Sequence, residues 1–216
     1  MKLKAWPTGW PDLTNVEATT DETRSLVVQI RKEAYSRHMN YRAVPPFDHF
    51  DFAPNTFSCL LVGGQTPHRS ANAFGTIRLS VRGLEQDPLS TPCSHIFGSE
   101  VRRLFVYNRF LELSRLAIAP SNCYEDGLRM YLALMQNGAR AAEAYECDFI
   151  LAPTVVEHTR LYLGMGFEQV TEARQYHDGI FCCLLALDWR AKRAALRNHK
   201  RFCRLFADWS QRELVA

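Results

Sequence analysis

Residues 104–127 read LFVYNRFLELSRLAIAPSNCYEDG, and the interpretation of the whole chain turns on this stretch. From Phe110 to Pro120 the string FLELSRLAIAP has the apolar character of a buried strand, interrupted by Glu112 and Arg115. Side chains alternate along a regular strand, so residues three apart face opposite sides of a sheet. The spacing therefore predicts Glu112 and Arg115 on opposite faces, one directed into a cleft and the other at a neighbouring layer. Turn chemistry follows in PSN and EDG, and then an amphipathic helix. A strand that opens into a loop and a helix is where α/β folds bind ligands. The same pair also reads as one exposed acid and one satisfied ion pair, and spacing alone leaves both readings open.

Upstream, TTDETRSLVVQIRKEAYSRH predicts a first helix, with Thr20 or Asp21 as its cap and Leu26, Ile30 and Ala34 on one face. Arg31 and Tyr35, four apart, share a helical face. The segment before this helix reads as an arm rich in Pro, Gly and Trp. The segment after it, MNYRAVPPFDHFDFAPNT, has too many prolines and aromatics for a helix and too many turn residues for a strand. It predicts an ordered loop packed by Tyr41, Phe47, Phe50 and Phe52 that presents Asp48 and Asp51. For those two acids, capping of local backbone groups is the competing reading.

FSCLLVGG and AFGTIRLSVRG flank the polar QTPHRSAN and predict a hairpin. Arg78 lies between Ile77 and Leu79, so it is either on an open sheet face or held by a buried acid. EQDPLSTPCSHIFGSEVRRLF reads as loop with at most a short helical turn. Downstream, DGLRMYLALMQNGARAAEAYEC predicts a helix with Leu128, Tyr131, Leu132, Met135, Ala139 and Ala142 on one stripe, and Gly138 suggests close packing there. DFILAPTV predicts a strand and residues 156–163 a short helix. A final hairpin turns at HDG, and a last helix carries Phe202, Leu205, Phe206 and Trp209 on one stripe. Antiparallel strands at both ends with a crossover helix between them describe an α+β domain built on a mixed sheet.

Totals agree with this. The chain has 216 residues, 47% apolar and 23% charged, which suits one folded core rather than a disordered or membrane chain. The expected division is a domain over 1–189 and a basic amphipathic helical extension over 190–216. MKLKAWPTGWPD has no apolar core of signal-peptide length, so a cytoplasmic location is expected, and Trp6 and Trp10 leave a peripheral membrane contact open. The net charge of +3 is mild, but eight Lys or Arg residues crowd between Arg190 and Arg212. Such a tail suits an acidic protein, an anionic lipid surface or nucleic acid. The seven cysteines form no CxxC pair and the histidines no HExxH grouping, so neither a disulfide framework nor a metal site is expected.

Five pieces in order then resemble the N-acetyltransferase (GNAT) superfamily, and within it the acyl-homoserine-lactone synthases and the related N-acyl amino acid synthases. They are Arg31 in QIRKEAY, the acids of FDHFD, the arginine of GTIRL, the E..SR of FLELSR, and LYLGMGF. The resemblance implies a three-layer α/β/α fold around a mixed, mostly antiparallel sheet. It also implies a charged site lined by Arg31, Asp48, Asp51, Arg78, Glu112 and Arg115, with Tyr35 on the same helical face as Arg31. The implied substrates are an acyl group on the phosphopantetheine of acyl carrier protein and an amine. The lactone synthases carry a tryptophan shortly after the first helix, whereas RHMNYRAVPPF has none, which favours the amino acid synthases.

The coenzyme A enzymes of the superfamily carry a glycine-rich pyrophosphate loop after the strand discussed first. Here APSNCYEDG holds two acids and one glycine, and carboxylates repel a pyrophosphate. Acyl carrier protein is therefore the expected donor, acyl-coenzyme A the alternative, with no tightly bound cofactor and no nucleic acid partner. Acyl transfer to an amine needs a base for the ammonium and an acid for the leaving thiolate. Glu112 is the candidate base, with burial expected to raise its pKa. Tyr162 takes the place of the superfamily's thiolate-protonating tyrosine, packing of the short helix being its other reading. Arg78 or Arg115 is positioned to clamp a substrate carboxylate, while the other orders Asp48 and Asp51. The rival readings are a lactone synthase, an acetyl-coenzyme A-dependent N-acetyltransferase, and a non-catalytic domain that binds a carrier protein or another protein.

Overall fold

The computed structural model describes residues 6–7, 12–37, 44–63, 73–87, 90–120, 127–199 and 202–203. In chain order the strands are β1 (Trp6–Pro7), β2 (Leu13–Glu17), β3 (Thr56–Gly63), β4 (Ala73–Arg82), β5 (Phe110–Ile118), β6 (Phe149–Val155), β7 (Glu168–Gln169), β8 (Arg174–His177) and β9 (Ile180–Asp188). The helices are α1 (Asp21–Ser36), α2 (Ser94–Phe105), α3 (Gly127–Ala144), α4 (Thr159–Leu163) and α5 (Trp189–Asn198). The strands form one sheet in the order β1-β2-β3-β4-β5-β6-β9-β7, with β8 also on β9. Among the described residues only the β5–β6 pair is parallel, because α3 carries the chain from the end of β5 back to the start of β6.

Alternation along the strands splits the core into two layers. Leu61, Ile77, Leu79, Leu111, Leu113, Ile150, Leu185 and Leu187 pack with α3. On the other face Phe97, Val101 and Phe105 of α2 cover Phe110, Leu151, Cys182 and Leu184. Beside them Val27 and Ile30 of α1 cover Leu60, Val62, Ala117 and Ala119. The result is the expected three-layer α/β/α arrangement. Thr20 is the cap of α1, its hydroxyl accepting from the Thr23 amide in a reciprocal box.

Four expectations are corrected. Residues 94–105 form a three-turn helix rather than loop: its apolar positions 97, 101 and 105 recur every four residues, a stripe hidden in the sequence by the turn residues in front of it. Leu13–Glu17, read as part of an arm, is a strand paired along the whole of its length with β3. On α3 the predicted stripe is too narrow and begins too early. Leu128 is exposed, while residues 130–139 are buried on every side. Finally, the last helix does not run through Phe202: it ends at Asn198, and His199 has extended backbone. Phe202 turns back into the main core, and Leu205, Phe206 and Trp209 lie outside the described residues.

The basic residues of α5 are bound to the body of the protein. Arg193 and Arg197 pair with Glu143, Arg190 with Asp148 and Lys192 with Glu168. No helix among the described residues is long and apolar enough to cross a membrane.

Two close approaches lock α3 onto the sheet. A Cβ at Gly138 would lie 2.8 Å from Leu113 Cδ2, and one at Gly75 would lie 2.9 Å from the Ala117 carbonyl oxygen and 3.0 Å from Leu134 Cδ1. The first neighbour is a flexible side-chain end, the second a strand backbone that cannot move alone. Gly75→Ala should therefore cost about 1–3 kcal/mol and lower the melting temperature in a thermal circular-dichroism scan. An unchanged melting temperature would show that β4 and β5 have more room than this packing allows.

Candidate functional site

Two local irregularities in β5 build the site. The first is its parallel pairing with β6, which covers Phe110↔Phe149, Leu111↔Ile150 and Glu112↔Leu151 and goes no further among the described residues, although both strands continue. Glu112 thus sits at the fork where the two strands part. The second is a bulge against β4: Thr76 pairs Ala117 and Arg78 pairs Ser114, so Ile77 faces both Arg115 and Leu116. Arg115 has φ +54°, the left-handed region that costs a non-glycine residue roughly 1–3 kcal/mol.

The bulge corrects the prediction that Glu112 and Arg115 face opposite ways. Phe110 and Leu151 belong to the α2 side of the sheet and Leu111 and Leu113 to the α3 side. After the bulge Leu116 and Ile118 pack on the α3 side, while Ala117 and Ala119 pack under α1. Arg115 is the extra residue, and it reaches the same acid as Arg78, whose Nε donates to Ser114 Oγ at 3.1 Å. One inserted residue therefore brings Glu112, Ser114 and Arg115 to one face.

That face meets residues 44–55, whose short 3-10 turn His49–Phe52 holds Asp51 and is capped by Asp48. Asp48 and Asp51 do the local capping and the long-range pairing together. Asp48 accepts from the Phe50 amide, and Asp51 accepts from the Asp48 amide. Outward, Asp51 meets Arg31 at 2.8 Å and Arg78 at 3.3 Å, and Asp48 meets Arg78 at 2.6 Å and Arg115 at 2.7 Å. Arg31 also donates to the Pro46 carbonyl and to Ser58 Oγ, and Arg115 to the Pro45 carbonyl. Of the loop aromatics, Phe47 and Phe52 meet edge to face at 4.6 Å. Phe52 is nevertheless 66% exposed, so it does not pack the loop inward as expected, and Tyr41 lies outside the described residues.

Exposure sorts the cluster. The side chains of Arg31, Arg78 and Asp51 are 0%, 2% and 2% exposed, against 7% for Arg115 and 21% for Asp48. Within the cluster itself, Glu112 apart, three guanidiniums face two carboxylates, an excess of one positive charge. Burial opposes ionisation of Asp48, but the Arg78 and Arg115 guanidiniums outweigh it and hold its pKa at about 2. Burial likewise works to lower the Arg115 pKa, and Tyr35, Tyr176 and Asp48 more than reverse that. Tyr35, predicted on the face of Arg31, is therefore the neighbour of Arg115 as well.

Glu112 is completely buried. Its Oε2 accepts from the Cys93 amide at the start of α2 at 2.8 Å, while Oε1 has no partner within hydrogen-bond distance. Burial pushes its pKa up, opposed by the Cys93 amide, Arg78 and the hydroxyl of Ser114. Tyr162 is not part of this assembly. It lies in the core on the α3 side, edge to face with Tyr131 at 5.8 Å and Phe167 at 5.4 Å. Burial raises its pKa to about 12, against contributions from the Thr154 and Tyr131 hydroxyls.

Two surface depressions lie elsewhere. One, lined by Asn55, Arg82, Arg109 and Tyr145, is at the far ends of β4 and β5, and the other runs along α1 beside Phe47 and Phe52. Residues 38–43 and 121–126, the latter holding most of the predicted donor-recognition loop, are outside the described residues. Among the described residues no three His, Cys, Asp or Glu side chains are grouped to hold a metal. Sequence reasoning missed Ser58, Ser114 and the Cys93 amide. Ser114 had a signal in the E..SR motif. The other two had none, since their partners are 7 and 19 positions away.

Asp48, half-buried, and Glu112, fully buried, give opposite pH dependences. Asp48 titrates at about 2 in the fold and near 3.9 when unfolded. Its pairing thus stabilises fully above about pH 4 and is lost as pH falls toward 2. Glu112 is raised, so the folded protein holds its proton longer than the unfolded chain, and stability falls as pH rises above about 4.3. Urea unfolding from pH 2 to pH 8 should show Asp48→Asn losing less stability than wild type on the acid side. Glu112→Gln should gain on wild type with rising pH, and parallel curves for either variant would contradict these environments.

A family model described as the N-acyl amino acid synthase FeeM matches residues 27–188. Among solved structures, the fold is similar to FeeM, an N-acyl amino acid synthase from uncultured soil microbes, with 15% identity over 84% of this chain and 93% of that one and a TM-score of 0.60. An acyl-CoA N-acyltransferase from Pseudomonas aeruginosa matches at 18% identity over 81% of this chain and 97% of that one, TM-score 0.55. The acyl-homoserine-lactone synthase LasI matches at 13% over 81% and 87%, TM-score 0.55. At these identities the structural likeness concerns the fold alone. No curated protein matches the chain.

Proposed function

The chain belongs to the N-acyl amino acid synthase family typified by FeeM, an acyltransferase family, and on that footing we propose that it moves a long-chain fatty acyl group from acyl carrier protein to the α-amine of an amino acid. The observation that carries the substrate class is the one excess positive charge of the cluster, with Arg115 its most open guanidinium. An amino acid brings a carboxylate that neutralises it and an amine that must be deprotonated nearby, where Glu112 sits at the fork of β5 and β6. In this reading Arg115, with Tyr35 beside it, meets the carboxylate. Arg31, Arg78, Asp48 and Asp51 hold the loop that frames the site.

Glu112 takes the ammonium proton, directly or through a water, and the amine nitrogen then attacks the thioester carbonyl. Its burial suits this work, because an uncompensated carboxylate in an apolar setting is a stronger base than one in water. The phosphopantetheine sulfur leaves and needs a proton. Tyr162, whose pKa of about 12 keeps it protonated at neutral pH, is the candidate donor from the other side of the sheet. The donor assignment rests on sequence: Glu125 and Asp126 precede Gly127 at the head of α3, and two carboxylates there disfavour the pyrophosphate of coenzyme A. The division into a catalytic body over 1–189 and an extension over 190–216 belongs to the same proposal, with the extension's basic residues beyond α5 available to an acidic carrier protein or an anionic membrane surface.

Purified protein given a long-chain acyl carrier protein and a panel of amino acids should release N-acyl amino acid and free carrier thiol, followed by mass spectrometry. The same acyl group on coenzyme A should react more slowly. Glu112→Gln should retain the fold and lose about 10²–10⁴-fold in kcat, and Arg115→Ala should raise KM for the amino acid. No product from any donor, or a fully active Glu112→Gln protein, overturns the assignment.

A further inference from the structure

α2 is two helical pieces joined at a kink. Phe97 has φ −118° and ψ 26°, outside the helical region, so the turn that starts at Cys93 is offset from residues 98–105. That offset turn carries the amide that meets the buried acid, the Cys93 N–H donating to Glu112 Oε2 at 2.8 Å. Cys93 stands at the cap position of α2, and its own side chain makes no capping bond. A single helical turn is not stable on its own backbone bonds, so this one depends on what grips it.

Distant parts of the chain do so. From the loop, Phe50 meets His95 edge to face at 5.0 Å. From β8, Arg174 spans the kink. Its Nη1 donates to the Ile96 carbonyl at 3.1 Å, on the near side, and to Glu100 Oε2 at 3.1 Å, one turn beyond. Its Nη2 donates to Glu100 Oε1, and its guanidinium carbon lies 5.7 Å from the centre of the Phe97 ring, over the kink itself. A planar fork can hold a carbonyl and a bidentate carboxylate at once, which an ammonium cannot. As an ion pair open to solvent on the arginine side, Arg174–Glu100 adds little stability. Its consequence is geometric.

We propose that Arg174 is a positioning residue: by splinting the kink of α2 it holds the Cys93 amide on Glu112, and so ties the buried acid to the β8–β9 hairpin. The proposal deepens the site reading above and, for its catalytic consequence only, rests on Glu112 as the base. Without the splint the first turn of α2 swings more freely and the carboxylate loses its donor while staying buried, so its proton is held more tightly. The groups facing Glu112 are Cys93 from α2, Arg78 and Ser80 from β4, Leu151 from β6 and Ser114 on β5. Substituting Arg174 leaves all of them in place. The Arg174 guanidinium and the Ser99 hydroxyl hold the Glu100 pKa at about 2, so the splint stays ionised wherever Glu112 titrates.

The direct test needs no substrate. Carbon-13 labelling of the glutamates, with Glu112→Gln identifying the resonance, gives the titration midpoint of Glu112 in wild type, Arg174→Met and Arg174→Lys. Hydrogen exchange of the Cys93 amide is read in the same proteins. In Arg174→Met the midpoint should rise by about one pH unit and the Cys93 amide exchange about tenfold faster. Arg174→Lys keeps the charge but not the fork, and should show a rise of the same sign and at least half the size. A Glu112 midpoint and Cys93 exchange that stay put in folded Arg174→Met overturn the proposal, as does a rise in Arg174→Met that Arg174→Lys abolishes, since charge alone would then be the cause. In the acyl-transfer assay the acidic limb of kcat/KM should move with the midpoint, with KM for the amino acid little changed. A moved midpoint with an unmoved rate profile supports the splint and instead overturns Glu112 as the base.

Discussion

Three arginines from three separate elements converge on two aspartates within one short turn, and the geometry of the site follows from that convergence. Arg31 comes from α1, Arg78 from β4 and Arg115 from β5, while Asp48 and Asp51 come from a loop with little regular structure of its own. A guanidinium in the interior is tolerated only with its donors matched, and a carboxylate only with its lone pairs used. Each aspartate meets that demand twice, locally through backbone amides and remotely through arginine. The cluster is therefore weak as net stabilisation and strong as a specification: few arrangements of helix, loop and sheet satisfy all five charges together.

The bulge in β5 is the backbone's contribution to the same constraint. A left-handed residue inside a strand is costly for any side chain but glycine, and the Arg115 contacts with Asp48 and the Pro45 carbonyl offset the cost. By adding one residue, the bulge lets Leu113 and Leu116 face α3 on either side of it while Ser114 and Arg115 reach the charged layer. Just before it the parallel pairing with β6 stops. The sheet is thus forked, and Glu112, fully buried, stands at the fork.

Burial divides the charged residues by what they can do. Arg31, Arg78 and Asp51 are sealed beneath the loop, where they hold it in place. Arg115 and Asp48 lie at the rim, and Glu112 is enclosed but beside the parted strands. The same division runs through the basic C-terminal segment. The charges on α5 are spent on Glu143, Asp148 and Glu168 and so dock the helix onto the body, which a count of lysines and arginines cannot distinguish from a surface tail.

Local chemistry was enough to read α1 with its cap at Thr20 or Asp21, the β3–β4 and β8–β9 hairpins and the crossover helix, because capping, alternation and helical periodicity are written in neighbouring positions, whereas the set of charged residues came from the family resemblance of five short pieces. The capping account of Asp48 and Asp51 was legible and holds, alongside their pairing with the arginines. Tertiary structure alone decided what depends on distant partners. Residues 94–105 became a helix because α2 has a sheet face to cover, and Tyr162 went to the α3 side because the core there holds Tyr131 and Phe167. Glu112 and Arg115 came to one face because the strand took in an extra residue to satisfy arginines and aspartates far apart in the chain. A spacing of three specifies opposite faces only while the strand stays regular, and whether it does is settled by what packs against it.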